Sequence, residues 1–225
     1  MSYYLVVQYP YETIEIALCK NGQIVSSKSL HKHDAIGQTI PTIEQLLSSA
    51  SITLKDLSCI GVNVGPGPYN TLRGILTMMN GIARVNGTPL LAFNALALMS
   101  IQFQNTPHVV ILTAFEGHLF FNIRTKNLKM QAAGTVSYLI ELINEQPEQL
   151  QAYGNGAIKY QQELETGCPA KLKFTEPITH FNSLTTLAQQ TYDTHLNKNQ
   201  PENNLSDYLK PIYFEDLAAQ SKKNI

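Results

Sequence analysis

Cys59 to Asn86, CIGVNVGPGPYNTLRGILTMMNGIARVN, reads as an apolar strand, a Gly/Pro loop and a long helix whose polar residues are unusually few. Arg73, Thr77, Asn80 and Arg84 recur at i, i+4, i+7 and i+11, which gathers them into one narrow stripe. At about 100° per residue, Gly81, Gly74, Val85, Met78, Ile82, Ile75, Met79, Leu72, Ala83 and Leu76 sweep roughly two thirds of the circumference. One packed face needs only about 100°. Such a helix must be covered by its own sheet and by something else. Gly74 and Gly81 lie on that second side, where a missing side chain admits another backbone. Two covers are open: the chain's own other helix, since two-sided burial is ordinary in layered α/β domains, or a second subunit.

Charge favours the subunit. Charged residues are 15% of the 225, against about 25% in ordinary soluble domains, and the deficit is local. From Leu57 to Phe115 the only charged side chains are Arg73 and Arg84. A monomer keeps its surface wetted by charge, so this stretch belongs to a core or to an interface. The length and the 44% hydrophobic content suit one large or two small globular domains. No run is apolar for long enough to span a bilayer. A net charge of −1 and a pI near 6.6 leave no basic field for nucleic-acid phosphates, so a nucleic acid served by this chain would be gripped by another one. Cys19, Cys59 and Cys168 are widely spaced, with no CxxC, and read as reduced core thiols. The N-terminus meets polar residues too soon for a secretory signal, and the expected location is cytoplasmic.

In chain order, strands are expected at Tyr3–Val7, Thr13–Cys19 and Gln23–Leu30, the last two joined by Asn21-Gly22, a strong hairpin signal. Ile36, Ile40, Ile43 and Leu47 mark a helix, with Pro41 starting or kinking it. After the central helix come a strand at Leu90–Phe93 and a helix from Asn94 to about Gln104. The order is βββαβαβα. Past Asn105-Thr106-Pro107 the pattern partly repeats: strands at His108–Phe115 and Leu119–Arg124 around a Glu116-Gly117 turn, and a third near Leu128–Ala132. Helices follow at Val136–Asn144, around Ile158–Glu165, and at Ser183–Leu196 with Asn182 as cap. Short strands fit at Gln151–Tyr153 and Leu172–Phe174. Asn197 to Ser206 reads as a loop, Tyr208–Phe214 as a last short segment, and the rest as a tail.

Candidate chemistry is sparse. Gly65-Pro66-Gly67-Pro68 leads into a helix N-terminus, whose N–H groups favour anions, and Gly65, Gly67, Asn70, Thr71 and Arg73 are the residues that would hold a nucleotide or anion there. The loop lacks the GK[ST] ending of a Walker motif, its prolines remove two donors, and Asn70 or Thr71 can cap the helix. A rigid strand-to-helix connection is the plainer reading. His31 and His33 beside Asp34 lack an evident third ligand, so no metal site is assigned. The five aspartates, Asp34, Asp56, Asp193, Asp207 and Asp216, are scattered. Neither GxSxG nor HExxH occurs, and no catalytic residue is assigned.

A βββαβαβα unit followed by a degraded repeat is the layout of the α/β actin-like ATPase fold, built from two ribonuclease-H-like halves. Within it the sequence resembles the bacterial TsaB (YeaZ) family nearly end to end. The most specific block is Gly65-Pro66-Gly67-Pro68-Tyr69-Asn70-Thr71-Leu72-Arg73, similar to the family's GPGSFTGLR, with Gly81 and Gly87-Thr88-Pro89 at the family's spacings. Weaker matches are His33 for the His of REH, Ile111–Phe115 with Glu116-Gly117 for DARMGE, Tyr153-Gly154-Asn155-Gly156-Ala157 for GDGA, and Pro211-Ile212-Tyr213 for PxYLR. There are departures. Gln8-Tyr9 stands where the family has Asp-Thr, Thr113-Ala114-Phe115 replaces DAR, and Ile75, Thr77 and Met79 replace small residues of the central helix. The resemblance is to a diverged member.

The resemblance implies a first half at 1–105, carrying the partner-binding helices, and a shorter second half with the tail at 106–225. It implies a non-catalytic scaffold or activating subunit for tRNA threonylcarbamoyladenosine formation, dimerising with a TsaD-type threonylcarbamoyltransferase through a four-helix bundle. The expected contact is Gly74, Met78, Gly81, Ile82 and Val85, with the less apolar face of the Ile36–Leu47 helix. A TsaE-type ATPase is a second implied partner, the chain alone would be a homodimer, and tRNA would be met only indirectly. No cofactor is expected in the isolated chain, with ATP or ADP at the boundary with the partner. The alternatives are a small actin-fold ATP-dependent phosphotransferase or peptidase-like enzyme acting alone, and a chain that merely dimerises. Gln8 in place of a carboxylate argues against the kinase form.

Overall fold

The computed structural model describes residues 2–9, 13–115, 117–174, 184–196 and 205–213. The elements begin with β1 (Tyr3–Gln8), β2 (Thr13–Lys20), β3 (Gln23–His31), α1 (Ala35–Ser49) and β4 (Leu57–Asn63). The central helix α2 (Tyr69–Asn86), β5 (Leu90–Phe93) and α3 (Ala95–Ile101) follow. Then come β6 (His108–Thr113), β7 (His118–Arg124), β8 (Lys129–Thr135), α4 (Val136–Asn144), β9 (Leu150–Tyr153), α5 (Asn155–Lys159), α6 (Gln161–Gly167) and β10 (Leu172–Phe174). The last described elements are α7 (Leu184–Leu196) and β11 (Leu205–Ser206).

The chain divides into two compact units, 1–95 with 182–211, and 96–181 with 212–225. Both sheets follow one plan. In the first, β3, β2 and β1 are antiparallel and β1, β4 and β5 parallel, in the order β11-β5-β4-β1-β2-β3. In the second, β8, β7 and β6 are antiparallel and β6, β9 and β10 parallel, in the order β10-β9-β6-β7-β8. Asn21 and Gly22 both take positive φ, at 52° and 82°, which is what a two-residue hairpin turn asks for.

In the first unit β1 is buried from Tyr4 to Gln8, as a strand inside a sheet covered on both faces should be. On one face lies α7: the Tyr4 hydroxyl donates to the Ala188 carbonyl at 3.0 Å. A Cβ on Gly61 of β4 would stand 2.0 Å from Thr191 Oγ1, so α7 docks only because residue 61 has no side chain. In the second unit Val109, Ile111, Phe121, Ile123, Leu139 and Ile143 form the centre of the core.

Several expectations need correction. The unit division falls at 95/96 inside α3, where the sequence placed it after residue 105. Moreover, α7 and β11 return to the first unit, because α7 buries Leu187, Ala188 and Thr191 and makes the contacts with Tyr4 and Gly61 given above. Leu205–Ser206, read as loop, is a strand pairing with β5. The helix around Ile158 is two helices broken at Tyr160. The proposed cap Asn182, Glu116 of the turn and the tail lie outside the described residues. Among the described residues no helix is long and apolar enough to cross a membrane.

Candidate functional site

The Gly/Pro loop is fixed through its own backbone. The Gly65 N–H donates to Asn63 Oδ1 at 3.0 Å, its carbonyl accepts from the Ala95 N–H at 2.7 Å, and the Val64 N–H donates to the Phe93 carbonyl at 2.9 Å. Gly65 has φ 99°, which only glycine adopts readily, and a cis peptide bond joins it to Pro66. Helix α2 starts after Pro68, no side chain caps it, and the first bond is Leu72 N–H to the Pro68 carbonyl at 3.1 Å. Asn70 and Thr71, expected as alternative caps, lie inside the first turn instead. Gly67 is half-buried and a Cβ there would be in ordinary contact, 3.6 Å from the Tyr9 carbonyl. Arg73 is exposed: its Nη1 donates to the Tyr69 hydroxyl at 3.1 Å, with the guanidinium 5.0 Å from that ring's centre.

Around α2 the side chains separate into three sectors. Leu72, Ile75, Leu76, Met79, Asn80 and Ala83 are buried. Arg73, Thr77 and Arg84 are exposed. Between those sectors lie Gly81 and Val85, exposed, and Gly74, Met78 and Ile82, half-buried. Val85 is 91% exposed, and on α1 Ile36 and Ile40 stand 58% and 43% exposed. Ile82 and Ile40 border a cleft completed by Ile43, Leu47 and Ile52. Gly74 admits a side chain rather than a backbone: a Cβ there would lie 2.5 Å from Ile36 Cδ1. Nothing lies within 4 Å of a Cβ built on Gly81. Ile36 and Ile40, expected on the apolar side of α1, face outward, while Ala35, Thr39, Thr42, Ile43, Leu46 and Leu47 face inward.

Asn80 leaves the predicted polar stripe altogether. Its amide is buried and bonded to the backbone of Leu209, a long-range pairing that no local spacing announces. Gln8 is fully buried at the end of β1, opposite Glu15, and its Nε2 donates to Glu15 Oε2 at 2.5 Å. An amide therefore fills the position at which the resembled family keeps a carboxylate. In the second unit Asn155 ties together two of the weaker motif matches. Its Oδ1 accepts from the Thr113 N–H and its Nδ2 donates to Thr113 Oγ1, both at 3.0 Å. Gly154, at φ 98°, and Gly156 lie against Ile111, where Cβ atoms would stand 2.3 Å and 2.7 Å from its carbonyl oxygen and Cγ2.

His31 and His33 stack with ring centres 4.9 Å apart. Among the described residues no three or more His, Cys, Asp or Glu side chains come together as a set that could hold a metal ion. A buried pair missed in the sequence joins Ser100 to His108. The His108 Nδ1–H donates to the Thr106 carbonyl at 2.8 Å, so Nε2 is left to accept from Ser100 Oγ at 2.7 Å. Burial lowers the pKa of His108 and keeps it neutral.

Residues 22–225 match the family described as TsaD, tRNA N6-adenosine threonylcarbamoyltransferase. Among solved structures, YeaZ from Pseudomonas aeruginosa aligns with a TM-score of 0.68 and 16% identity, over 95% of this chain and 100% of that one. A second, from the same organism and described as an uncharacterized protein with similarity to peptidase YEAZ, aligns at 0.63 and 16%, again over 95% and 100%. At such identity the likeness speaks for the fold, which is the actin-like ATPase fold. The chain belongs to the TsaD family and has the actin-like ATPase fold.

Proposed function

We propose that this chain, within the tRNA threonylcarbamoyladenosine machinery to which its family ties it, is a non-catalytic scaffold or activating subunit that binds a TsaD-type threonylcarbamoyltransferase. The observation that carries this reading is the outward apolar sector of α1 and α2. Val85, Ile36 and Ile40 stand in water, beside half-buried Met78 and Ile82. Covering each side chain would contribute up to roughly 1.5–3 kcal/mol. A partner's helix pair laid on α1 and α2 buries all of them, and a second copy of this chain does the same when the partner is missing.

The non-catalytic part of the proposal rests on Gln8. Gln8 puts an amide where a carboxylate would anchor a metal-bound nucleotide, and the Glu15 carboxylate beside it is engaged by that amide; no cofactor is therefore proposed for the isolated chain. ATP or ADP would sit at the boundary with the partner, within reach of the loop before α2. A TsaE-type ATPase and an indirect encounter with tRNA complete the proposal. The net charge of −1 supports the indirect encounter.

Size-exclusion chromatography with light scattering tests it, on the chain alone and mixed with the TsaD-type homologue of the same genome. Conversion of a homodimer into a heterodimer is expected. A monomer that ignores the homologue would overturn the reading and favour the solitary enzyme, which should then bind Mg-ATP by itself.

A further inference from the structure

We propose that the second unit binds a small phosphomonoester bearing a hydroxyl donor, in the cleft between α3 and the outer face of the β7–β8 hairpin. The two strands pair Asn122 with Gln131 and Arg124 with Lys129. Strand alternation sends Leu119, Phe121, Ile123, Met130 and Ala132 to the core and turns Asn122, Arg124 and Lys129 the other way. These three line the cleft opposite Ala97, Ser100 and Ile101.

Two features of that face are costly unless something binds there. Arg124 and Lys129 are directly opposed cations, an arrangement that destabilises a strand pair, and among the described residues no carboxylate pairs with either. Asn122 is only 8% exposed, and its Oδ1 is buried with no hydrogen-bond partner. An orphaned buried acceptor of this kind costs about 1–3 kcal/mol. The neighbouring Ser100 hydroxyl does not supply the missing proton, because it is spent on His108.

Charge and size select the ligand. Two cations are matched by a phosphomonoester, which carries about −1.5 to −2 near neutrality, whereas a carboxylate or a phosphodiester leaves one of them uncompensated. Arginine suits phosphate through its forked donors. The orphaned Asn122 acceptor asks in addition for an O–H. A cleft of about 260 Å³ is at the small end of ligand sites and fits a fragment of a few carbons better than a nucleotide. A nucleic-acid backbone would meet the two cations at the rim without reaching Asn122.

Isothermal titration of the full chain with glycerol 3-phosphate, inorganic phosphate and glycerol is the test. Glycerol 3-phosphate should bind saturably, inorganic phosphate about tenfold more weakly because its own P–OH stays with the two cations and it has no carbon-borne hydroxyl to reach Asn122, and glycerol not at all. Asn122→Ala should erase the difference between the two phosphates. Lys129→Gln alters an exposed side chain and leaves folding intact. Without ligand it should melt no lower than the parent, since a like-charge pair is relieved, and it should lose the rise in melting temperature that glycerol 3-phosphate gives the parent. The absence of saturable binding at millimolar glycerol 3-phosphate would overturn the proposal. So would binding that survives both Arg124→Gln and Lys129→Gln, or an RNA oligonucleotide that binds this face where glycerol 3-phosphate does not.

Discussion

Asn80 and Leu209, 129 residues apart, exchange two hydrogen bonds: the Asn80 Nδ2 donates to the Leu209 carbonyl at 3.0 Å, and the Leu209 N–H donates to Asn80 Oδ1 at 2.7 Å. A side-chain amide here acts as a stretch of backbone, fastening the segment after β11 to the buried side of α2. Asn80→Leu strands a buried N–H and a buried carbonyl together. A loss of about 2–4 kcal/mol is expected, from two groups at about 1–3 kcal/mol each and partial rescue by water. Urea denaturation measures it, and an unchanged midpoint would mean that the Leu209 segment is not held by Asn80.

That pairing also marks where the sequence stops being legible. The order of strands and helices could be read because apolar periodicity, the Asn21-Gly22 turn and the Gly/Pro loop are local signals, and the repeat of one sheet plan in both units followed from them. Asn80 looked like one more polar residue in a stripe with Arg73, Thr77 and Arg84; spacing alone cannot say that a chain segment beyond α7 will return to meet it. Leu205–Ser206 reads as loop in the sequence for the same reason, being a strand only because β5 offers an edge. The wide apolar arc of α2 was legible as an excess. Its division into a buried arc and an outward sector was not, because Leu72 and Val85 are equally apolar in sequence and differ only in what the fold puts beside them.

Val85→Arg is the cleanest probe of the outward sector. At 91% exposure the side chain does little for the folded monomer, so stability should stay within about 0.5 kcal/mol of the parent. Association should be abolished, as a charge cannot be buried unpaired in an apolar contact. Met78→Asp should also block association but with a measurable loss of stability, because Met78 is half-buried. Light scattering and thermal melts on both variants separate the two effects, and a Val85→Arg protein that still associates would remove α2 from the interface.

Arg73 lies along Tyr69 on the surface of α2. An exposed pair of this type contributes about 0.5–1 kcal/mol at most, so Arg73→Ala should barely move the melting temperature. If the loop before α2 helps to hold a nucleotide at the partner boundary, the same change weakens nucleotide affinity of the complex. Equal affinity for parent and variant would leave Arg73 as a solvated surface residue.

Burial pushes the Cys19 and Cys59 thiols up from 9.0 to about 12, and it raises the Tyr4 hydroxyl as well. Above about pH 9 the unfolded chain releases thiol protons that the folded chain still holds. The stabilisation from these groups is therefore complete below that pH and is lost as pH climbs towards 12. Urea midpoints taken at rising alkaline pH should fall steadily. Iodoacetamide should leave both cysteines unmodified in the native protein and label them after unfolding. Rapid labelling of native Cys19 or Cys59 would contradict their burial in β2 and β4.

Gln8→Asp restores the carboxylate that the family resemblance expects at the end of β1, and it tests whether that site still works. The new carboxylate would face Glu15 across the strand pair, where the present amide donates a hydrogen bond. Two carboxylates sharing a buried site cannot both ionise easily, so the folded-state pKa of one rises above its unfolded value. A raised carboxylate pKa gives stability that is whole below the unfolded pKa and is lost as pH rises through the folded one. The variant should accordingly fall further behind the parent at neutral pH than at about pH 4, with a deficit of several kcal/mol if the added charge stays unpaired. Denaturation at the two pH values, with and without Mg-ATP, reads the result. If Mg-ATP leaves the neutral-pH deficit in place, Gln8 is one of several changes that closed the site; if Mg-ATP restores the stability, that single amide is what keeps nucleotide out.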